Sequence, residues 1–309
     1  MSRATLPTGE TAPPSGRGRR CRNLLLRLLV LYPALILGFF YLYQDHLLFF
    51  PQHSGATPLA LRLPHRRIER VTLTASDGSR LVGWLGRAEG PAPLILYFGG
   101  NGEDVADSFP DLLAQPALAA WHLLAMNYRG YGESTGEPSE AALVADGIQS
   151  HDHAAGLPGV LPGIAVMGRS LGSGVAVAVA AARPVRGVVL VTPYDSMVSV
   201  AAHHYPWLPV SLLLRHRFDS LALAPGVRCP ALVLLAAADT VIPPSHGEHL
   251  GAAWGGPVEV RWIPGTGHIN VVESDLYWRH LAGFLARLRP APVSLVSPAP
   301  TISPAMSAR

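Results

Sequence analysis

The chain has 309 residues, nearly half of them hydrophobic, enough to bury the core of one large α/β domain or two small ones. All 24 basic residues are arginine, which excludes chemistry that depends on a lysine, including a P-loop or the Tyr-x-x-x-Lys pair of short-chain dehydrogenases. The formal charge of +3 belongs to the N-terminus: six arginines and one acid lie within residues 1–27, leaving 18 arginines against 20 acids, a balance that argues against a nucleic-acid partner.

Residues 1–20 are rich in Pro, Gly and Arg without apolar periodicity and are expected to be disordered. Leu24 to Tyr43 follows, apolar except for Arg27 and long enough to cross a bilayer. Five arginines, Arg17, Arg19, Arg20, Arg22 and Arg27, lie just before it or within its start, and none follows until Arg62. The positive-inside rule then reads residues 24–43 as a single-pass signal anchor, with the N-terminus cytoplasmic and the main domain periplasmic or otherwise extracytoplasmic. A cleaved signal peptide fits less well, because the run is long and no A-x-A site follows. Cys21 and Cys229 lie far apart in this organisation and are expected to remain unpaired.

Asp45 to Leu63 reads as an irregular linker, and residues 47–289 as the folded domain. "IERVTLTASDGSRLVGWLGRA" gives two alternating strands joined at Asp77-Gly78. Strands and helices then alternate. "PLILYF" ends in "GGNGED", and "WHLLAMNY" ends in "RGYGESTGEPSE" before a helix over 139–153. "GIAVM" ends in "GRSLGSG" before a helix over 171–182, and "RGVVLVTPY" ends near Asp195. "ALVLLAAAD" ends at Asp239, "VEVRWIPG" ends just before His268, and a last helix covers about 272–288. Short unbroken apolar runs in β-then-α order predict a mostly parallel sheet with helices on both faces. Residues 196–228 are too long for a plain crossover and are expected to form two short helices as a cap over the site. The tail, 290–309, is expected to be disordered.

Ligands of such a sheet sit beyond the carboxyl ends of its strands, so the residues just after strands carry the chemistry. "GRSLGSG" fits a nucleophile elbow with Gly168, Ser170 and Gly172, and also fits a dinucleotide turn with Gly168, Gly172 and Gly174. Its position after several strands, together with the missing lysine, decides for the elbow. The order Ser170, Asp239, His268 is that of a hydrolase triad. A serine hydroxyl needs a base, His268, and the base needs an orienting acceptor, Asp239. The backbone N–H groups of Leu171 and of the early loop, best placed at Asn101, would form the oxyanion hole. Asp195 is the rival acid and reads better as a helix N-cap. Asp219 reads as a cap or an arginine partner, and Arg129 with Glu133 as loop braces. His203-His204 and His151 with His153 lack the carboxylate or Cys that would complete a metal site, and no cofactor is implied. Tyr205, Trp207, Leu208 and Leu212 to Leu214 could line an acyl pocket or form the cap's own core.

"VMGRSLGSG", "LYFGGNGED", "MNYRGYGESTGEPSE", "YPWLPVSLLLRHRFDS", "AAADTVIP" and "IPGTGHIN" resemble the Bem46 and ABHD-type branch of the α/β-hydrolases, within the serine-aminopeptidase-like group, from about Leu47 to Leu288. The resemblance implies the α/β-hydrolase fold with a small helical cap and a serine hydrolase acting on carboxylic esters or thioesters. It implies the triad Ser170, Asp239 and His268, and an oxyanion loop at Gly99 to Asn101. That loop reads Gly-Gly-Asn where the family usually has His-Gly-Asn, so a loop-bracing side chain is gone while every backbone donor remains. The expected partners are a small-molecule or lipid-like acyl substrate and, through the N-terminal helix, a membrane. The alternatives are a peptidase or amidase of the same fold, or a membrane-tethered binding protein without turnover.

Overall fold

The computed structural model describes residues 16–53 and 66–289. The expected tail at 290–309, residues 1–15 of the expected disordered N-terminus and part of the linker lie outside the described residues. Helix α1 runs Gly16–Leu48, longer at both ends than the apolar run. Residues 16–20, expected without structure, form its first turn, and Asp45 to Leu48, expected as linker, form its last. No proline lies between Gly16 and Leu24, and Asp45 is engaged by the domain, so the hydrogen-bonded turns continue past the apolar segment in both directions.

A single eight-stranded sheet follows, in the order β1-β2-β4-β3-β5-β6-β7-β8. β1 (Ile68–Thr74) and β2 (Arg80–Gly86) form the expected hairpin, with Gly78 at the turn at φ 86°. β2 pairs antiparallel with β4 (His122–Met126). All further pairs are parallel, through β3 (Leu94–Phe98), β5 (Ala165–Arg169), β6 (Gly187–Val191), β7 (Ala231–Ala236) and β8 (Val258–Ile263). β3 to β7 are apolar along almost their whole length because both faces are covered. One face packs α3 (Glu140–Ala155), α4 (Leu171–Ala182) and α8 (Pro244–Ala252). The other packs α2 (Val105–Leu113) and α9 (Asp275–Leu288).

The cap holds three short helices rather than two: α5 (Met197–His204), α6 (Val210–Leu213) and α7 (Ser220–Leu223). Ser139 caps α3 by accepting from the Ala142 N–H. The last helix starts at Asp275, capped by Ser274, and residues 270–273 form a separate 3-10 turn. Crossovers of this kind leave the loops after β3, β5, β7 and β8 at one edge of the sheet, which is where the predicted residues meet.

Candidate active site

β5 ends at Arg169 and α4 begins at Leu171, so Ser170 alone reverses the chain between them. Its φ of 51° and ψ of −119° are costly for a residue with a Cβ, by roughly 1–3 kcal/mol. The surroundings hold it there. Its N–H donates to the Val191 carbonyl of β6 at 3.0 Å, and its carbonyl accepts from the Ser173 N–H at 2.9 Å and the Ser173 hydroxyl at 2.7 Å. The two flanking glycines permit the turn by close approach rather than by unusual dihedrals. An ideal Cβ on Gly168 would lie 2.2 Å from the Gly172 carbonyl oxygen, and one on Gly172 would lie 2.2 Å from that of Phe98. Gly174 faces Tyr194 in the same way, with a Cβ only 2.1 Å from the phenol oxygen.

His268 Nε2 lies 2.8 Å from Ser170 Oγ, and its Nδ1 lies 2.7 Å from Asp239 Oδ2. The other carboxylate oxygen accepts the N–H groups of Val241 (2.9 Å) and Ile242 (2.8 Å). The Asp239 side chain is 1% exposed and that of His268 12%. This line of contacts lets a hydroxyl proton pass to Nε2 while Nδ1–H donates to a fixed carboxylate. Arg169, absent from the sequence reading, ties the elbow to the histidine loop by donating to the Ile269 carbonyl at 2.9 Å.

The loop after β3 is braced from three sides. The Gly100 N–H donates to Glu103 at 2.9 Å, the same carboxylate accepts from the Tyr97 and Ser108 hydroxyls, and Tyr128 donates to the Gly99 carbonyl at 2.8 Å. A Cβ on Gly99 would meet the Glu103 carboxyl carbon at 2.9 Å. Glu103 therefore occupies the room that a larger residue at position 99 would need, and itself supplies a brace. The Asn101 carbonyl accepts from the Tyr131 hydroxyl (2.8 Å) and from the Phe50 N–H (3.1 Å), and its side-chain amide donates to the Leu48 carbonyl (3.1 Å). The end of α1 is thus bonded directly to this loop, a long-range contact without local sequence signal. The N–H groups of Asn101 and Leu171 have no hydrogen-bond partner among the described residues. Both residues line a cavity of about 670 Å³ that also holds Ser170 and His268.

The rival acid lies outside this line. Asp195 accepts from the Ser196 N–H at 2.6 Å and contacts His246 at 2.8 Å and His249 at 3.4 Å. It is not the N-cap expected of it. Ser196 caps α5 through the Ser199 N–H, because the shorter hydroxyl reaches that donor while the Asp195 carboxylate turns toward α8. Asp219 caps α7 as expected. Arg129 pairs with Asp146 at 2.7 and 2.8 Å and with Asp77, and Glu133 with Arg70 at 2.6 Å, so both brace loops away from Ser170. Cys229 is a free thiol whose pKa burial pushes up to about 11.

No family model matches the chain. An uncharacterized protein of Mycobacterium tuberculosis, Rv2307c, is 34% identical over 254 residues, covering 81% of this chain and 89% of the relative. The bem46 protein of Schizosaccharomyces pombe is 28% identical over 264 residues, covering 81% and 88%. Among solved structures, a Pyrococcus furiosus esterase superposes with a TM-score of 0.61 at 15% identity over 78% of this chain and 97% of that one, a likeness of fold.

Proposed function

This chain belongs to the Bem46/ABHD-like α/β-hydrolases, and from that premise we propose that it is a serine hydrolase that cleaves carboxylic ester or thioester bonds through an acyl-enzyme. The single observation carrying the reading is the hydrogen-bonded line from Ser170 through His268 to Asp239. Ser170 Oγ attacks the acyl carbon as its proton passes to His268 Nε2. The oxyanion is held by the N–H groups of Leu171 and Asn101, each worth roughly 3–4 kcal/mol of barrier in comparable sites. His268 then gives its proton to the departing alkoxide or thiolate as the C–O or C–S bond breaks. Water attacks the acyl-enzyme, His268 takes its proton, and collapse frees the acid and restores the serine. Asp239 stabilises the imidazolium and fixes its tautomer.

Leu47, Leu48, Met197 and Val200 give part of the cavity an apolar wall, which suits the acyl chain of an ester or thioester. Purified protein is expected to hydrolyse p-nitrophenyl acyl esters, with kcat/KM falling at least ~10³-fold in Ser170→Ala. Release of N-terminal residues from peptides, without ester turnover, would overturn the substrate class.

Within the same proposal, α1 anchors the chain in a membrane and residues 47–289 form the catalytic domain, with the cap at 196–228. α1 contains a 24-residue apolar span, Leu25–Leu48, long enough to cross a bilayer. The arginines before it support a catalytic domain outside the cytoplasm. Reporters fused after the end of α1 are expected to be active only on the extracytoplasmic side, and activity confined to the cytoplasm would reverse the orientation.

A further inference from the structure

A second cavity, of about 320 Å³, lies between the last turns of α1 and the cap helices α5 and α6. Leu47, Leu48, Met197, Val200 and His204 line both this space and the cavity over Ser170, so the two adjoin across a shared wall of mostly apolar side chains. We propose that this space is the acyl-chain subsite of the Ser170 centre and takes a long acyl chain presented by the bilayer in which α1 is anchored. The proposal rests on the reading of Ser170 as nucleophile.

Three observations carry it. The first is the chemistry of the wall. Besides the shared residues it is built from Phe40, Ala201, Tyr205, Leu208 and Leu213, among other apolar groups. Two of its polar side chains, Gln44 and His204, are already engaged. Gln44 donates to the carbonyls of Tyr41 and Leu213 and accepts the Arg215 N–H, and His204 Nε2 contacts the Val241 carbonyl. Such a lining offers nothing to the charged end of a peptide and suits a hydrocarbon, and the volume is at the lower end of the roughly 300–1,000 Å³ typical of ligand sites.

The second is where α1 ends. Its C-terminal turns are clamped to the cap by Phe40 against Tyr205 and Trp207 (5.7 and 5.9 Å between ring centroids) and by Asp45 to Arg215 (2.7 Å) and His216 (2.9 Å). Of the span Leu25–Leu48, the part before this clamp, Leu25 to Phe39, covers only about 22 Å at 1.5 Å per residue, so crossing the roughly 30 Å hydrocarbon core also takes in clamped residues. A membrane that accepts this helix therefore brings the cap to its surface. The third is the cap's outer rim there, where Trp207 is 62% exposed and Leu212 84%. An exposed tryptophan held against a membrane helix, on a cap that also exposes a leucine, is placed to sit among lipid headgroups and acyl chains.

The test uses the full-length protein in lipid nanodiscs and two alkyl fluorophosphonates, ethyl and dodecyl. In each, Ser170 Oγ bonds to phosphorus, its proton passes to His268, and fluoride leaves. Wild type is expected to be labelled faster by the dodecyl reagent. Ala201→Trp, which fills the space, is expected to lower the dodecyl-to-ethyl rate ratio roughly 10-fold or more, and Leu208→Ala, which thins the wall, to lower it several-fold. A ratio unchanged in both variants overturns the subsite. Failure of both reagents to label wild type overturns the nucleophile reading beneath it.

Discussion

Gly172→Ala is expected to yield protein destabilised by about 3 kcal/mol or more, with hydrolysis lost beyond ~100-fold. The new Cβ would lie 2.2 Å from the Phe98 carbonyl oxygen and 2.6 Å from that of Gly99. Both are backbone atoms at the end of β3, so no flexible side chain can yield. Either α4 must withdraw or the loop carrying Asn101 must shift, and both movements pull the Leu171 and Asn101 N–H groups out of register. Interiors packed at crystal-like density do not absorb such an overlap. Gly226→Ala is the control, since a Cβ there meets nothing within 4 Å. Its thermal midpoint should stay near wild type, and comparable losses in both variants would show that the close approach at Gly172 is not what matters.

Asp239→Asn is expected to lower kcat/KM by roughly 10³–10⁴-fold with the fold intact. Oδ1 accepts two backbone N–H groups, from Val241 and Ile242, and Oδ2 faces His268. An asparagine must keep its carbonyl toward the two backbone donors, so its NH₂ group faces Nδ1. That contact forces the tautomer carrying hydrogen on Nε2, which cannot take the serine proton. Asp195→Asn makes the contrast. Turnover should change by no more than a few-fold, while the acid limb of stability flattens. Burial raises the Asp195 pKa, but the hydrogen bond and charge of His246 outweigh it, with help from Ser196 and His249, and hold the carboxyl below its ordinary value. A depressed folded pKa contributes stability above the ordinary carboxylate pKa near ~4, lost as pH falls through the lower folded value. Thermal midpoints measured from about pH 6 down to about pH 3 should therefore fall less steeply for the variant. Loss of turnover in Asp195→Asn with retention in Asp239→Asn would exchange the two roles.

The residues at strand ends were legible because an α/β sheet gives them a fixed address. Each unbroken apolar run became a strand, and the polar residue following it came to the same edge. The elbow was ambiguous as a string of letters and was resolved by its position after several strands, the missing lysine, and the Asp239 and His268 that follow later strands. Helices α2 and α8 passed unnoticed. α2 is nine residues long and contains Pro110, and α8 carries two glycines and two histidines in nine residues. Such segments lack the length and periodicity that mark a helix before packing supplies the stabilisation. The brace from Glu103 to Gly100 was visible only as an acid three residues beyond a glycine. The bonds from Asn101 to Leu48 and Phe50 cross about 50 residues of chain, and no local pattern announces them. They tie the end of α1 to the loop that carries the proposed oxyanion donor, where the sequence suggested a linker.

The central claim, that Ser170 is an activated nucleophile, is tested most directly by intact-mass and peptide mapping of the folded full-length protein after exposure to a fluorophosphonate. The account predicts one adduct per chain, on Ser170, absent from Ser170→Ala and from protein unfolded before exposure. No adduct on the folded wild type, or the same adduct in Ser170→Ala, would contradict it.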